Sequence, residues 1–409
     1  MSELLKRLKG DRVIWIVTLL MLAFSLVSVY SFVPILVKME GGTPFKYLFK
    51  HFIYVLIGLG VMFWVHRRDP AYFSKLAKFG FYLAIALLLF TFFFGVRVND
   101  AGRWVRIPFV GLTFQSSDFA KLALIVYVSR LLVKKKEVMN DWKEGFLPLV
   151  TPIVVICALI VKDNFSTAAI LFAVCLTLMF IAKVPFLKVA GLIGGGVALF
   201  MFIVLIQKAA PDLRLLPRLE TWENRMFNHA NSDENIIENA QVQNALDGIY
   251  SGGIRWTGED KSFLGGQGIG DGVVKEYIPE AYADFYYASF VEELGPISAG
   301  VLVMLYLILL YRIMRIGLNA KKMFESYLCI GIGILILSQA AVNMLVCTGM
   351  FPVTGQNMPL LAMGGSAMIM TCLALGMVQS IAYKQQKESG EVKEEEAILE
   401  EDKEVFETV

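Results

Sequence analysis

Charge is what this chain has least of. Of 409 residues, 18% are Asp, Glu, Lys or Arg, and the formal net charge is +2. That excludes an ordinary soluble domain, which carries about 25% charged residues; the net charge says nothing about nucleic acid, which is not among the expected partners. Histidine is nearly absent: His51, His66 and His229 are scattered, so no zinc site can be argued from them. The five cysteines (Cys157, Cys175, Cys329, Cys347 and Cys372) lie inside apolar runs, odd in number and with no Cys-x-x-Cys pair. They read as small apolar packing residues rather than disulfides or metal ligands.

Apolar residues fill the space that charge leaves. They make up 56% of the chain, and the mean hydropathy is +0.61. About ten runs are long enough to span a bilayer: 13–33, 48–65, 76–95, 116–133, 146–162, 167–182, 187–207, 285–310, 325–349 and 360–383. The predicted fold is therefore an all-α polytopic membrane protein. Basic clusters fall on alternate loops: Lys6 to Arg12, Arg67 to Lys78, Lys134 to Lys143, Lys183 and Lys188, and Arg312 to Lys322. By the positive-inside rule these loops and both termini are cytoplasmic. The first run has a basic leader and no small-residue cleavage site, so it reads as a retained helix. Residues 1–383 are expected to form the membrane domain and 384–409 a charged cytoplasmic tail, either a solvated helix or disordered.

The long loop, 208–284, is predicted on the outer side, and loops of that length are normally functional or disordered. Its glycine patches, Ser251-Gly252-Gly253 and Gly265 to Gly272, do not make a dinucleotide fingerprint, because no strand precedes them and the spacing is wrong. Tight turns or a flexible approach to a substrate remain open. The loop also carries Arg218 and ends in Lys275-Glu276-Tyr277-Ile278-Pro279-Glu280-Ala281-Tyr282-Ala283-Asp284. Crowded carboxylates at a membrane surface are costly unless a cation, a metal or a reacting group uses them. With Pro279 in a first helical turn, Glu280 and Asp284 would share a face, which Glu292 would continue.

Other polar patches converge on the same side. Arg103, Trp104 and Arg106 read either as interfacial anchors or as groups that meet a phosphate or anionic sugar. Asp118 and Lys121 begin the fourth span, where they either pair with each other or contact a substrate. Lys162-Asp163-Asn164 ends the fifth span, and Pro352-Val353-Thr354-Gly355 leads to Gly364-Gly365-Ser366.

These residues resemble the FtsW/RodA/SpoVE (SEDS) family of bacterial cell-wall proteins. The likeness runs in order through Gly102-Arg103-Trp104, Gln115 to Lys121, Ser251-Gly252-Gly253, Gly268 to Gly270, and Pro279 to Phe285. It continues through Glu292-Glu293-Leu294-Gly295, Pro352 to Gly355 and Gly364 to Ser366, so it covers about Val13 to Tyr383. Any one motif is weak; the ordered set is specific. Lys275-Glu276-Tyr277 and the Pro-Val-Thr-Gly turn look more like the division branch. Departures are Tyr282-Ala283 in place of His-Thr, Asp118 in place of a Glu, Asn164 in place of an acid, and an insertion near Arg255 to Leu264.

The resemblance implies polymerisation of lipid II into glycan strands on the outer face of the cytoplasmic (inner) membrane, in septal wall synthesis. It implies a class B penicillin-binding transpeptidase and other division-complex membrane proteins as partners. Asp284 matches the family's catalytic aspartate, with Glu280 beside it. The substrate-binding candidates are Glu276, Lys275, Arg103, Trp104, Arg106, Asp118, Lys121, Arg218, Asn164 and Ser366. No metal ligands are assigned; a divalent cation, Mg or Mn, is the one cofactor considered. The chemistry suits these residues: a sugar hydroxyl attacking an anomeric carbon needs a base, and a departing pyrophosphate needs preplaced cations. A lipid II flippase would instead need charges through both leaflets, and inner-half charges within spans are scarce. A noncatalytic division scaffold would make the acids interface charges.

Overall fold

The computed structural model describes residues 9–98, 101–106, 113–161, 164–209, 236–254, 265–278 and 281–390. Helices dominate, in the order α1 (Arg12–Glu40), α2 (Pro44–Val65), α3 (Pro70–Phe94), α4 (Ser116–Lys134), α5 (Leu147–Val161), α6 (Phe165–Ile181) and α7 (Phe186–Ala209). Then follow α8 (Ile236–Ser251), α9 (Tyr286–Leu318), α10 (Met323–Cys347) and α11 (Gly365–Ser389). Eight of the described helical segments are long and apolar enough to cross a bilayer. Two predicted spans lie beyond that group: α6 is apolar but shorter, and α4 opens on Ser116-Ser117-Asp118. The protein is an integral membrane protein.

Local chemistry sets the helix ends. The Asp11 carboxylate caps α1 by accepting from Ile14 N, and Asp69 accepts from Ala71 N with Pro70 at the first helical position of α3. Left-handed Gly390 ends α11. Burial is arranged for lipid. Phe93, Phe94 and Leu187 are exposed, whereas Ser25, His51, Asn343 and Gln379 are buried. In hydrocarbon the backbone is satisfied by helices, and polar side chains turn inward.

One feature differs from the all-α expectation. A three-stranded antiparallel sheet, β1 (Val96–Val98), β2 (Ala101–Arg106) and β3 (Thr113–Gln115), fills the α3–α4 connection. Its register pairs Trp104 with Val96 and with Gln115. Short strands here let a connection outside the bundle satisfy its own backbone. The last helix also continues past the predicted 383/384 boundary. Lys384 pairs with buried Glu325 at 2.7 Å, and Gln386 hydrogen-bonds both backbone groups of Gly10 at 3.1 Å. The first residues of α1 and the last turns of α11 therefore share one end of the bundle, as an even number of crossings requires.

The ninth helix is broken. Gly295 has φ 81° and Pro296 lacks an N–H, so the carbonyls of Glu292 and Glu293 lose their helical donors. The glycine run replaces them: Gln267 N donates to Glu292 O at 2.9 Å and Gly268 N to Glu293 O at 3.0 Å. Gly252 and Gly266 permit this approach, since a Cβ on either would run into the carbonyl oxygen of Val291 or Glu293. Of the two options left by the sequence, tight packing turns account for these glycines.

Candidate functional site

The end of the bundle opposite Gly10 and Gln386 holds the sheet, the starts of α4, α6, α9 and α11, and the end of α10. There Asp118 and Lys121, three residues apart on α4, form an ion pair at 2.9 Å with both side chains buried. Ser366, on the first turn of α11, donates to Asp118 Oδ2 at 2.8 Å. Mutual pairing is thus realised, and Ser366 joins the pair from a distant part of the chain. A cavity of about 50 Å³ opens beside them, lined also by Gln115, Thr167, Gln339 and Gln356. It has room for a few water molecules.

Asp284 lies close in the network but does not line that cavity. Residues 281–285 form turns, and α9 begins only at Tyr286. The helical face expected to join Asp284 to Glu292 is therefore not formed, because Asp284 lies in the turns before a helix that starts at Tyr286. Asp284 is half-buried. Its backbone carbonyl accepts from Asn343 Nδ2 at 2.9 Å, and the same amide donates to Gln356 O at 2.8 Å. Gln356 in turn donates from its side chain to Thr167 Oγ1 at 2.6 Å. The aspartate turn, the loop before α11 and the start of α6 are thereby tied together beside the cavity.

Several candidates have other employment. Lys275 is 2% exposed, and its ammonium contacts Glu293 and Ser31 in a buried cluster. A lysine drawn beneath the surface needs a carboxylate, and Glu293 supplies it. Glu292, fully buried, accepts from Val274 N at 2.8 Å and Lys275 N at 3.1 Å. Both acids brace the loop against α9. Asn164 caps α6, accepting from Thr167 N at 3.0 Å. Glu276 is exposed. Arg103, Trp104 and Arg106 lie on β2. Glu280 and Arg218 lie outside the described residues, as do Lys162 and Asp163.

Sequence reasoning passed over Asn343, Gln339, Gln356 and Thr167. The available signal was two amides one helical turn apart, Gln339 and Asn343, inside an apolar span. Among the described residues no three His, Cys, Asp or Glu side chains form a metal cage.

The profile of the FtsW/RodA/SpoVE cell cycle protein family matches residues 11–387. The chain belongs to that family. Two relatives named probable peptidoglycan glycosyltransferase FtsW are similar over nearly their whole length. The one from Coxiella burnetii is 31% identical, covering 90% of this chain and 96% of the relative. That of Geobacter sulfurreducens is 29% identical, covering 91% and 95%. Among solved structures, a chain from a peptidoglycan synthase complex that coordinates polymerisation and crosslinking superposes with TM-score 0.70 at 20% identity, covering 91% of this chain and 97% of that one. The rod shape determining protein RodA of Thermus thermophilus gives 0.62 at 18% identity, covering 92% and 97%. This FtsW/RodA/SpoVE member thus shares the fold of those proteins across the bundle.

Proposed function

We propose that this chain is a peptidoglycan glycosyltransferase that polymerises lipid II, with Asp284 as general base. The observation that carries the reading is a half-buried aspartate held in a turn outside the helix, tied to a loop that lines a cavity with a buried Asp–Lys pair. A carboxylate on a turn ahead of the helix can reach a sugar hydroxyl at the interface. Asp284 takes the proton of that hydroxyl as its oxygen bonds to the anomeric carbon. The bond from that carbon to the pyrophosphate oxygen breaks, and lipid pyrophosphate leaves with the electron pair. Cations stabilise the departing charge; Lys121, Arg103, Arg106 and Arg218 are the candidates, and Mg or Mn is the cofactor to be tested.

Polymerisation on the outer face of the cytoplasmic membrane, both termini inside, agrees with the alternating basic loops. The relatives' name supports the division branch. The structural likeness to a chain of a peptidoglycan synthase complex supports a class B transpeptidase as partner, with other division-complex membrane proteins alongside.

The test is to incubate wild-type and Asp284→Asn protein in detergent with lipid II, with and without Mg or Mn and the partner transpeptidase. Polymer from wild type and none from the folded variant is the expected result. Polymer from Asp284→Asn at the wild-type rate would remove the aspartate from the mechanism. No polymer under any condition would direct attention to lipid II translocation in vesicles.

A further inference from the structure

We propose that Asn343 is the positioning residue for Asp284, a role that rests on the general-base reading above. Asn343 sits in the last turns of α10 and is fully buried. A primary amide in an apolar span is costly unless its groups are satisfied, and this one is satisfied across other segments. Its Nδ2 donates to Asp284 O at 2.9 Å, Gln356 O at 2.8 Å and Ala283 O at 3.3 Å. Its Oδ1 accepts from Tyr287 N at 3.4 Å, and from the Cys347 thiol at 3.9 Å.

These bonds do what a cap does, from a neighbouring helix. The residue at the N-cap position of α9 is Phe285, which offers no side-chain cap. The early N–H groups of a helix need an acceptor, and Asn343 Oδ1 accepts from Tyr287. In a continuous helix Tyr287 N would instead bond Ala283 O, and Ala288 N would bond Asp284 O. Asn343 takes up both carbonyls. It thus stops the helix at Tyr286 and leaves Asp284 in a turn. The shared bond to Gln356 fixes that turn against the loop lining the cavity. No other side-chain type of this size presents two donors and an acceptor on one planar group.

The test measures kcat and KM for lipid II polymerisation by the full-length protein with its partner transpeptidase. The variants are Asn343→Ala, Asn343→Ser and Asp284→Asn, each compared by folded yield and thermal unfolding. Misplacing a reacting group by about 1 Å costs on the order of 100-fold in rate. Asn343→Ala is expected to lower kcat by that order with KM unchanged, and Asn343→Ser, which keeps one donor and one acceptor, to recover part of kcat. A raised KM with intact kcat would overturn the role, as would a loss proportional to unfolded protein. Failure of both variants to fold would make Asn343 a structural residue and also overturn it. Full activity of Asp284→Asn would instead strike the general-base premise, a failure that the Asn343 arms alone cannot produce.

Discussion

The two ends of this bundle each bury a polar cluster, and they differ in what the cluster leaves open. At the end shared by Gly10 and Gln386, Asp11 is enclosed: Arg312 Nε donates to its carboxylate at 2.9 Å, and Gln379 holds its backbone N–H and carbonyl at 2.7 and 2.8 Å. The carboxylate and both backbone groups of Asp11 are thus paired, which joins α1, α9 and α11 as by a clasp. At the other end the Asp118–Lys121 pair borders a cavity and Asp284 stays half-buried. Paired charges without space stabilise an assembly; paired charges beside space can also meet a substrate.

The largest effect should come from splitting the pair beside the cavity. Lys121→Met leaves Asp118 buried and uncompensated, and removal of one partner of a buried pair costs about 3–5 kcal/mol. Combining it with Asp118→Asn should restore much of the unfolding temperature while polymerisation stays lost. If the double variant also polymerises lipid II, the two ends are alike and the pair is only structural.

Asp11→Ala attacks the closed end. Loss of the α1 cap alone costs about 1 kcal/mol, and Arg312 loses its partner as well. Unfolding temperature in detergent should fall, with polymerisation per folded molecule unchanged. A kcat defect in folded protein would show that the ends communicate.

Asn164→Ala is a smaller change and sharpens the boundary of the site. Removal of the α6 cap costs about 1 kcal/mol. A stability loss with KM for lipid II unaltered assigns Asn164 to capping alone, whereas a rise in KM adds substrate contact.

The smallest effect is a pH dependence at the closed end. His66 is buried at the close of α2, and desolvation lowers its pKa below the ordinary 6.5, outweighing a hydrogen bond to the Phe63 carbonyl. The folded form holds His66 neutral while the unfolded chain gains a proton below about pH 6.5. Its contribution to stability is therefore present above that pH and falls away as pH drops toward the folded value. Thermal unfolding at pH 7.5 and 5.5 should differ less in His66→Gln than in wild type.

The helices were largely legible in the sequence because hydrocarbon imposes long apolar runs; α4 begins at Ser116 as expected. The Asp118–Lys121 pair was legible too, because helical spacing alone brings them together. What escaped depended on partners far along the chain. Nothing local says that Lys275 will meet Ser31, or that Ser366 will meet Asp118. Asp284 misses the helical face expected for it because Asn343, on another helix, sets the start of α9 from outside. The sheet left a weak trace of alternation in Val96-Arg97-Val98 and Arg103-Trp104-Val105-Arg106, whereas Arg103, Trp104 and Arg106 were read only as interfacial anchors or as groups that meet a phosphate or anionic sugar.

The break at Gly295 and Pro296 has a mechanical consequence. Because Gln267 and Gly268 stopper the freed carbonyls, the stretch from Tyr286 to Leu294 is fastened to the loop at its lower end and carries the aspartate turn at its upper end. The loop and the Asp284 turn are thereby joined through one short helical segment, set apart by the break from the long remainder of the helix. The amide protons of Gln267 and Gly268 report on that fastening, since their exchange with solvent requires these hydrogen bonds to open.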